Sequence, residues 1–150
     1  MSGPVIIRAM TVADAMALQR QPSQQVQVGL VREMTEAVAQ DLIDNGEAWT
    51  AERDGVPVAL MGLRETFPGR QAVAWALLSA DVGAAAHLAI TRHCRRRIRL
   101  SPLVRIEAIA RIDVEAEILW ARLVGLEARC VLRKFGAASE DHMLFERVAA

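Results

Sequence analysis

Hydrophobic and polar positions change period several times along the chain, and each change marks an element. Val5-Ile6-Ile7 is a short β-branched run that reads as a strand. Thr11 follows, with Asp14 three positions on, the spacing at which a hydroxyl and a carboxylate cap a helix start reciprocally. Pro22 and Ser23 interrupt this first helix. A second is predicted from about Val26 to Asn45, with Val31, Met34, Val38 and Leu42 on one face and Gly46 as its stop. Two apolar-rich segments, Ala48 to Arg53 and Val56 to Arg64, are joined by Asp54-Gly55, the dipeptide suited to a tight hairpin. Pro68-Gly69 turns the chain into Ala72 to Leu78, a run without a charge. These three segments predict an antiparallel meander whose last strand is buried.

From Gly83 to Arg97 the period is helical, with Ala84, Leu88, Thr91, Cys94 and Ile98 on one stripe. Val104 to Ile112 then alternates: Val104, Ile106, Ala108, Ala110 and Ile112 face one way, and Arg105, Glu107, Ile109 and Arg111 the other. Asp113 is placed to cap a helix that runs to about Val124 and stops at Gly125. Arg129 to Lys134 and His142 to Val148 read as closing strands. The order is β-α-α-β-β-β-α-β-α-β-β, with no internal repeat or linker, so residues 1–150 are expected to form one domain.

Composition narrows the possibilities. The 150 residues are 53% hydrophobic and 24% charged, which excludes a disordered chain. Net charge is zero, so no global field favours nucleic acid or an anionic membrane. Cys94 and Cys130 are too few for a disulfide framework and read as small buried hydrophobes. No stretch has the length of a membrane span. The expected location is the cytoplasm, or a particle assembled in one. His87, His93, His142 and the two cysteines lack zinc-type spacing, so no metal is expected. The cluster from His93 to Arg99 places positive charge at a helix C-terminus, where it complements the dipole. Such arginines could also meet an anionic partner.

The junction Leu77-Leu78-Ser79-Ala80-Asp81-Val82-Gly83-Ala84-Ala85-Ala86 carries the most chemistry. A helix start exposes unpaired N–H groups and the positive end of a dipole, and the small residues Gly83 and Ala85 leave room for an anion. Asp81 is expected to cap the same helix, putting a carboxylate where a phosphate would sit. Both readings, anion cradle and ordinary capped helix, stay open at this point.

The element order and four local stretches resemble the GCN5-related N-acetyltransferase (GNAT) superfamily over nearly the whole chain. The stretches are Ile7 to Asp14, Ala51 to Gly55 leading into Gly62-Leu63, the Leu77 to Ala86 junction, and Leu119-Trp120-Ala121-Arg122-Leu123-Val124-Gly125-Leu126-Glu127. The resemblance implies an α+β fold in three layers, a central, mostly antiparallel mixed sheet flanked by helices. It implies acetyl-CoA as acyl donor and an amine as acceptor. Gly83, Ala84 and Ala85 would meet the pyrophosphate, and Leu77, Leu78 and Ser79 would lie along pantetheine. Two departures stand out: Ala80 takes the place of the family's Gln or Arg, and Ala121 falls at its tyrosine position in a chain that has no tyrosine. Glu65 and Glu107 are the candidate bases, and His87 is a further candidate. Two functions are therefore open. One is an acetyl-CoA-dependent N-acyltransferase with a degenerate pyrophosphate loop. The other is a non-catalytic GNAT-fold assembly or interaction protein, such as a phage virion component, with a protein partner or a second copy of itself.

Overall fold

A computed structural model describes residues 3–20 and 33–150. The elements are β1 (Val5–Ala9), α1 (Val12–Ala17), α2 (Glu36–Asp44), β2 (Gly46–Arg53), β3 (Val56–Phe67), β4 (Gln71–Leu78), α3 (Ala84–Leu100), β5 (Arg105–Arg111), α4 (Glu115–Leu123), β6 (Glu127–Leu132) and β7 (His142–Val148). This is the order expected from the periodicities. The strands form one seven-stranded sheet, β1-β2-β3-β4-β5-β7-β6, in which β4 and β5 pair in parallel and the other neighbours are antiparallel.

The two helix pairs cover opposite faces, giving three layers. Alternation along β4 decides which residue goes where. Trp75 and Leu77 pack with Met10, Ala15, Ala39, Leu42 and Leu60 under α1 and α2. Ala76 and Leu78 pack with Met61 and Ile90 under α3. Ala72, Ile106, Ala110 and Phe145 close the core with Ile98 of α3 and Ala121 of α4.

Local chemistry explains the element ends. Asp54 and Gly55 both have positive φ, 53° and 77°, as a two-residue hairpin turn of matching twist requires. Thr11 and Asp14 form the expected reciprocal cap, with Asp14 N–H donating to Thr11 Oγ1 at 3.2 Å and Thr11 N–H to Asp14 Oδ2 at 2.9 Å. Gly125, φ 102°, ends α4, and the Leu126 N–H turns back to the Ala121 carbonyl at 3.1 Å.

Five expectations need correction. Cys130, expected to be buried, is exposed on β6. The second helix starts at Glu36, capped by the Thr35 hydroxyl (3.2 Å from the Val38 N–H), so Met34 precedes it; Val26 to Val31 lie outside the described residues. The buried stripe of α3 is Ala86, Ile90 and Ile98, while Leu88 is 51% exposed and Ala84 is exposed too. Both stripes have helical spacing, and the β-branched Ile90 fits over Met61 and Leu78. Asp81 is not the cap of α3, which is Gly83. Asp113 is not the cap of α4: the cap is Val114, and the Asp113 carboxylate instead accepts from Arg111 Nε and Nη2 at 3.0 and 2.7 Å.

Candidate active site at a forked strand pair

β4 and β5 pair only at Gln71 with Arg105, Ala72 with Ile106, and Val73 with Glu107. Beyond these positions β4 continues against β3 to Leu78, and β5 continues against β7 to Arg111. Each strand keeps its outer partner while the two separate, and a fork results. The fork opens toward the C-terminal end of β4, where the chain turns into α3.

Of the residues expected at this turn, Ser79 holds its shape. The Ser79 N–H donates to the Val58 carbonyl (2.9 Å), its carbonyl accepts from Val82 (3.3 Å), and its hydroxyl accepts from the Asp81 N–H (3.2 Å). Leu77 and Leu78 are buried on opposite faces. Gly83 has φ 73° and ψ 159° and carries no side chain to cap α3. The first N–H groups of the helix, in the exposed stretch Ala84-Ala85, therefore meet no side-chain acceptor from the cap residue. Arg53, at the end of β2, reaches over this turn and donates to the Val82 carbonyl at 2.8 Å and to the Asp81 carbonyl. It brings a guanidinium to the helix start of a chain in which Ala80 supplies none. The cradle thus fits a pyrophosphate: small residues, an uncapped helix start and a tethered cation.

A cavity of about 120 Å³ lies at the closed end of the fork. Its lining includes Ala74 and Ala76 of β4, Ala108 and Ala110 of β5, and Trp49, Trp75 and Trp120, all three tryptophans of the chain. Alanines on both diverging strands leave the space, and the Trp49 and Trp120 indoles wall it. His93, Cys94, Arg97 and Glu117 complete its polar border. Trp120 Nε1 donates to Thr91 Oγ1 at 2.7 Å. Trp49 Nε1, Trp75 Nε1, His93 Nε2 and Glu117 Oε1 are buried without a hydrogen-bond partner among the described residues. Buried polar atoms are usually paired; three of these orphans, on Trp49, His93 and Glu117, lie on the α3 and α4 side of the sheet with the cavity and mark a place for a ligand, while the Trp75 indole packs under α1 and α2.

The electrostatics separate the possible actors. Burial pushes the Cys94 thiol up to about 12, which keeps it protonated and unfit as a nucleophile at neutral pH. Burial, followed by the Arg97 charge, lowers the His93 pKa and favours a neutral ring, packed edge-on to Trp49 at 5.0 Å. Arg97 pairs with Glu47 and lies over the Trp49 ring at 5.4 Å. Burial raises the Glu117 carboxyl, against a hydrogen bond from the Arg111 N–H to Oε2 at 3.2 Å.

The other expected residues sit elsewhere. Glu65 accepts from the Gly69 N–H at 2.7 Å and secures the β3–β4 turn. Glu107 is held by Arg105 at 2.9 Å and does not line the cavity. His87 packs on Trp120 at 5.5 Å, one layer behind the cavity wall. In the arginine cluster, Arg95 ties α3 to the Leu123 carbonyl at 3.0 Å, so part of that charge is structural. No motif marks Glu117, Trp49 or Trp75. The one readable signal is that Glu117 lies four residues before Ala121, on the same face of α4.

Solved structures share this architecture. A ribosomal-protein-alanine N-acetyltransferase from Brucella melitensis superposes with a TM-score of 0.75 at 16% identity, over 96% of this chain and 99% of that one. An acetyltransferase of the GNAT family from Streptococcus pneumoniae gives 0.72 at 11% identity, over 98% and 100%. The chain has the GNAT fold. A ribosomal-protein-S5-alanine acetyltransferase from Vibrio fischeri gives 0.71 at 14% identity, over 99% and 96%. No protein-family model matches the chain, and no curated protein matches it. The likeness to these structures is therefore one of fold, at 11–16% identity.

Proposed function

We propose that the protein is an acyl-CoA-dependent N-acyltransferase. The observation that carries this reading is the fork between β4 and β5, which opens onto the uncapped, Arg53-flanked start of α3 and closes on a cavity bordered by a buried carboxyl. Acyl-CoA supplies a thioester whose acyl carbon passes to an amine nitrogen as the C–S bond breaks.

Residues of the chain take the remaining roles. Gly83, Ala84 and Ala85 offer backbone N–H groups to the pyrophosphate, and Arg53 adds a positive charge while fixing the loop. The main chain of β4 at Leu77 and Leu78, on the side of the strand that faces the fork, is where the pantetheine arm would run. Glu117 occupies the face of α4 on which the family's tyrosine would stand, one turn before Ala121. Burial favours its protonated form, so it can give a proton to the departing sulfur and recover one shed by the acylated nitrogen. That assignment supplies an acid in a chain without tyrosine.

Isothermal titration with CoA and acyl-CoA tests the cradle. Micromolar binding that Gly83→Glu abolishes is the expected result, and no binding at millimolar ligand would overturn it. Arg53→Ala is expected to weaken binding about tenfold, with a smaller salt dependence, because it removes a charge-assisted phosphate contact and two tethers of the loop. A non-catalytic, partner-binding role is a second reading, favoured by Ala121 at the tyrosine position and by Phe67, which is 61% exposed; Val28 and Leu30 lie outside the described residues. Loss of binding in the titration would turn attention to it.

A further inference from the structure

We infer that the acyl group this site accepts is longer than acetyl and carries a neutral oxygen near its far end, as in a short 3-hydroxyacyl or 3-oxoacyl group. The inference rests on the acyl-CoA reading above and deepens it.

Direction comes first. The phosphate end of the ligand belongs at the start of α3, just beyond the C-terminal end of β4. A ligand entering there runs down the fork toward Val73 and Glu107, where the strands pair again. Its far end therefore lies between Ala74 and Ala108, where the cavity is.

Volume comes second. Apolar cavities of roughly 150 Å³ accept a benzene-sized molecule. About 120 Å³ is more room than the single methyl of acetyl fills. Bulkier residues at Ala74, Ala76, Ala108 or Ala110 would close that space, yet all four are alanine.

Polarity comes third. Trp49 Nε1 can only donate, and it is buried without a partner among the described residues, on the same side of the sheet as His93 and the cavity. A plain alkyl chain would leave that donor unsatisfied, at the usual penalty for a buried orphan. A carboxylate would satisfy it but would share the cavity with Glu47, whose charge is already matched by Arg97. A neutral hydroxyl or carbonyl oxygen meets the donor without adding charge. With a hydroxyl, the ligand can also donate to His93 Nε2, and its oxygen can accept from a protonated Glu117 Oε1.

The test compares acetyl-CoA, butyryl-CoA and 3-hydroxybutyryl-CoA on the intact protein by titration calorimetry. Tryptophan emission serves as a second readout, since the Trp49 and Trp120 indoles line the cavity. Butyryl-CoA is expected to bind about tenfold more tightly than acetyl-CoA, from two added methylenes. The hydroxyl is expected to add severalfold more, with a shift in emission that acetyl-CoA does not produce. Trp49→Phe should remove the advantage of the hydroxyl while keeping that of chain length. Ala110→Leu, or the milder Ala108→Val, should bring butyryl and acetyl affinities together, with folding checked by thermal melting. Equal binding of acetyl-CoA and the longer ligands by the unmodified protein would overturn the inference and leave the acyl-CoA reading standing. A preference for butyryl over its hydroxy form would overturn the polar end. No binding of any of the three would remove the acyl-CoA reading itself, and this inference with it.

Discussion

Glu117→Gln is expected to lower the turnover of acyl transfer by roughly a hundredfold or more, the usual worth of a positioned general acid, while the affinity for acyl-CoA stays close to its starting value. The amide is the same size as a protonated carboxyl, and its oxygen can keep the bond from the Arg111 N–H, so packing and the α4 start are preserved. What it cannot do is give up a proton to sulfur. The pH dependence provides a sharper test. Glu117 acts when protonated, and burial raises its pKa, so the rate it supports is present below that raised value and is lost as pH rises through it. The acceptor amine must lose its own proton to react, which sets the opposite limb. A steady-state pH profile should therefore be bell-shaped, and Glu117→Gln should flatten its alkaline side. An unchanged kcat with an unchanged profile would exclude Glu117 as the acid. Equal losses in binding and turnover would show a structural role instead.

Much of this was legible in the sequence where signals were local. The Asp54-Gly55 hairpin, the Thr11 and Asp14 cap and the alternation of Val104 to Ile112 each involve neighbours in the chain, and each element formed where its pattern stood. Errors arose where two local solutions competed. Thr35 before Glu36 is a cap signal, but the apolar period continuing upstream through Val31 and Met34 hides it. In α3 the stripes through Leu88 and Ile90 have the same spacing, and only the surface of β3 and β4 selects between them. The site was harder to read for a further reason. Glu65 and Glu107 lie next to the right strands in sequence, but one secures a turn and the other pairs with Arg105. Glu117 belongs to the cavity only because α4 packs back over Ala108 and Ala110, a contact with no trace in the local pattern. The unpartnered Trp49 N–H is likewise invisible until β2 and α3 come together.

Asp14→Ala carries the largest stability effect outside the site, an expected loss of about 2–4 kcal/mol. The carboxylate is 7% exposed and joins three elements. It accepts from Arg8 of β1 at 2.7 and 2.8 Å, from the Thr11 N–H at the start of α1, and from the hydroxyl of Thr50 in β2 at 2.9 Å. Its removal deletes half of the reciprocal cap and leaves the Thr50 hydroxyl, 0% exposed, without its acceptor. Arg8 recovers some solvation and keeps Glu52 at 2.8 Å, which limits the damage. The same contacts, led by the Arg8 hydrogen bond, hold the Asp14 carboxyl well below its ordinary value of 3.8. A depressed carboxyl stabilises the fold fully above its unfolded pKa and loses that contribution as pH falls toward the folded one. Denaturant melts between pH 7 and pH 2 should show the unmodified protein losing stability faster than Asp14→Ala on the acid side, so that the two curves converge. Parallel curves would mean that the Arg8–Asp14–Thr50 network contributes little. Because Thr50 and Ala51 pair with Leu60 and Ala59, and β3 in turn carries β4, loosening this corner should also reduce protection of the fork's outer strand in hydrogen exchange.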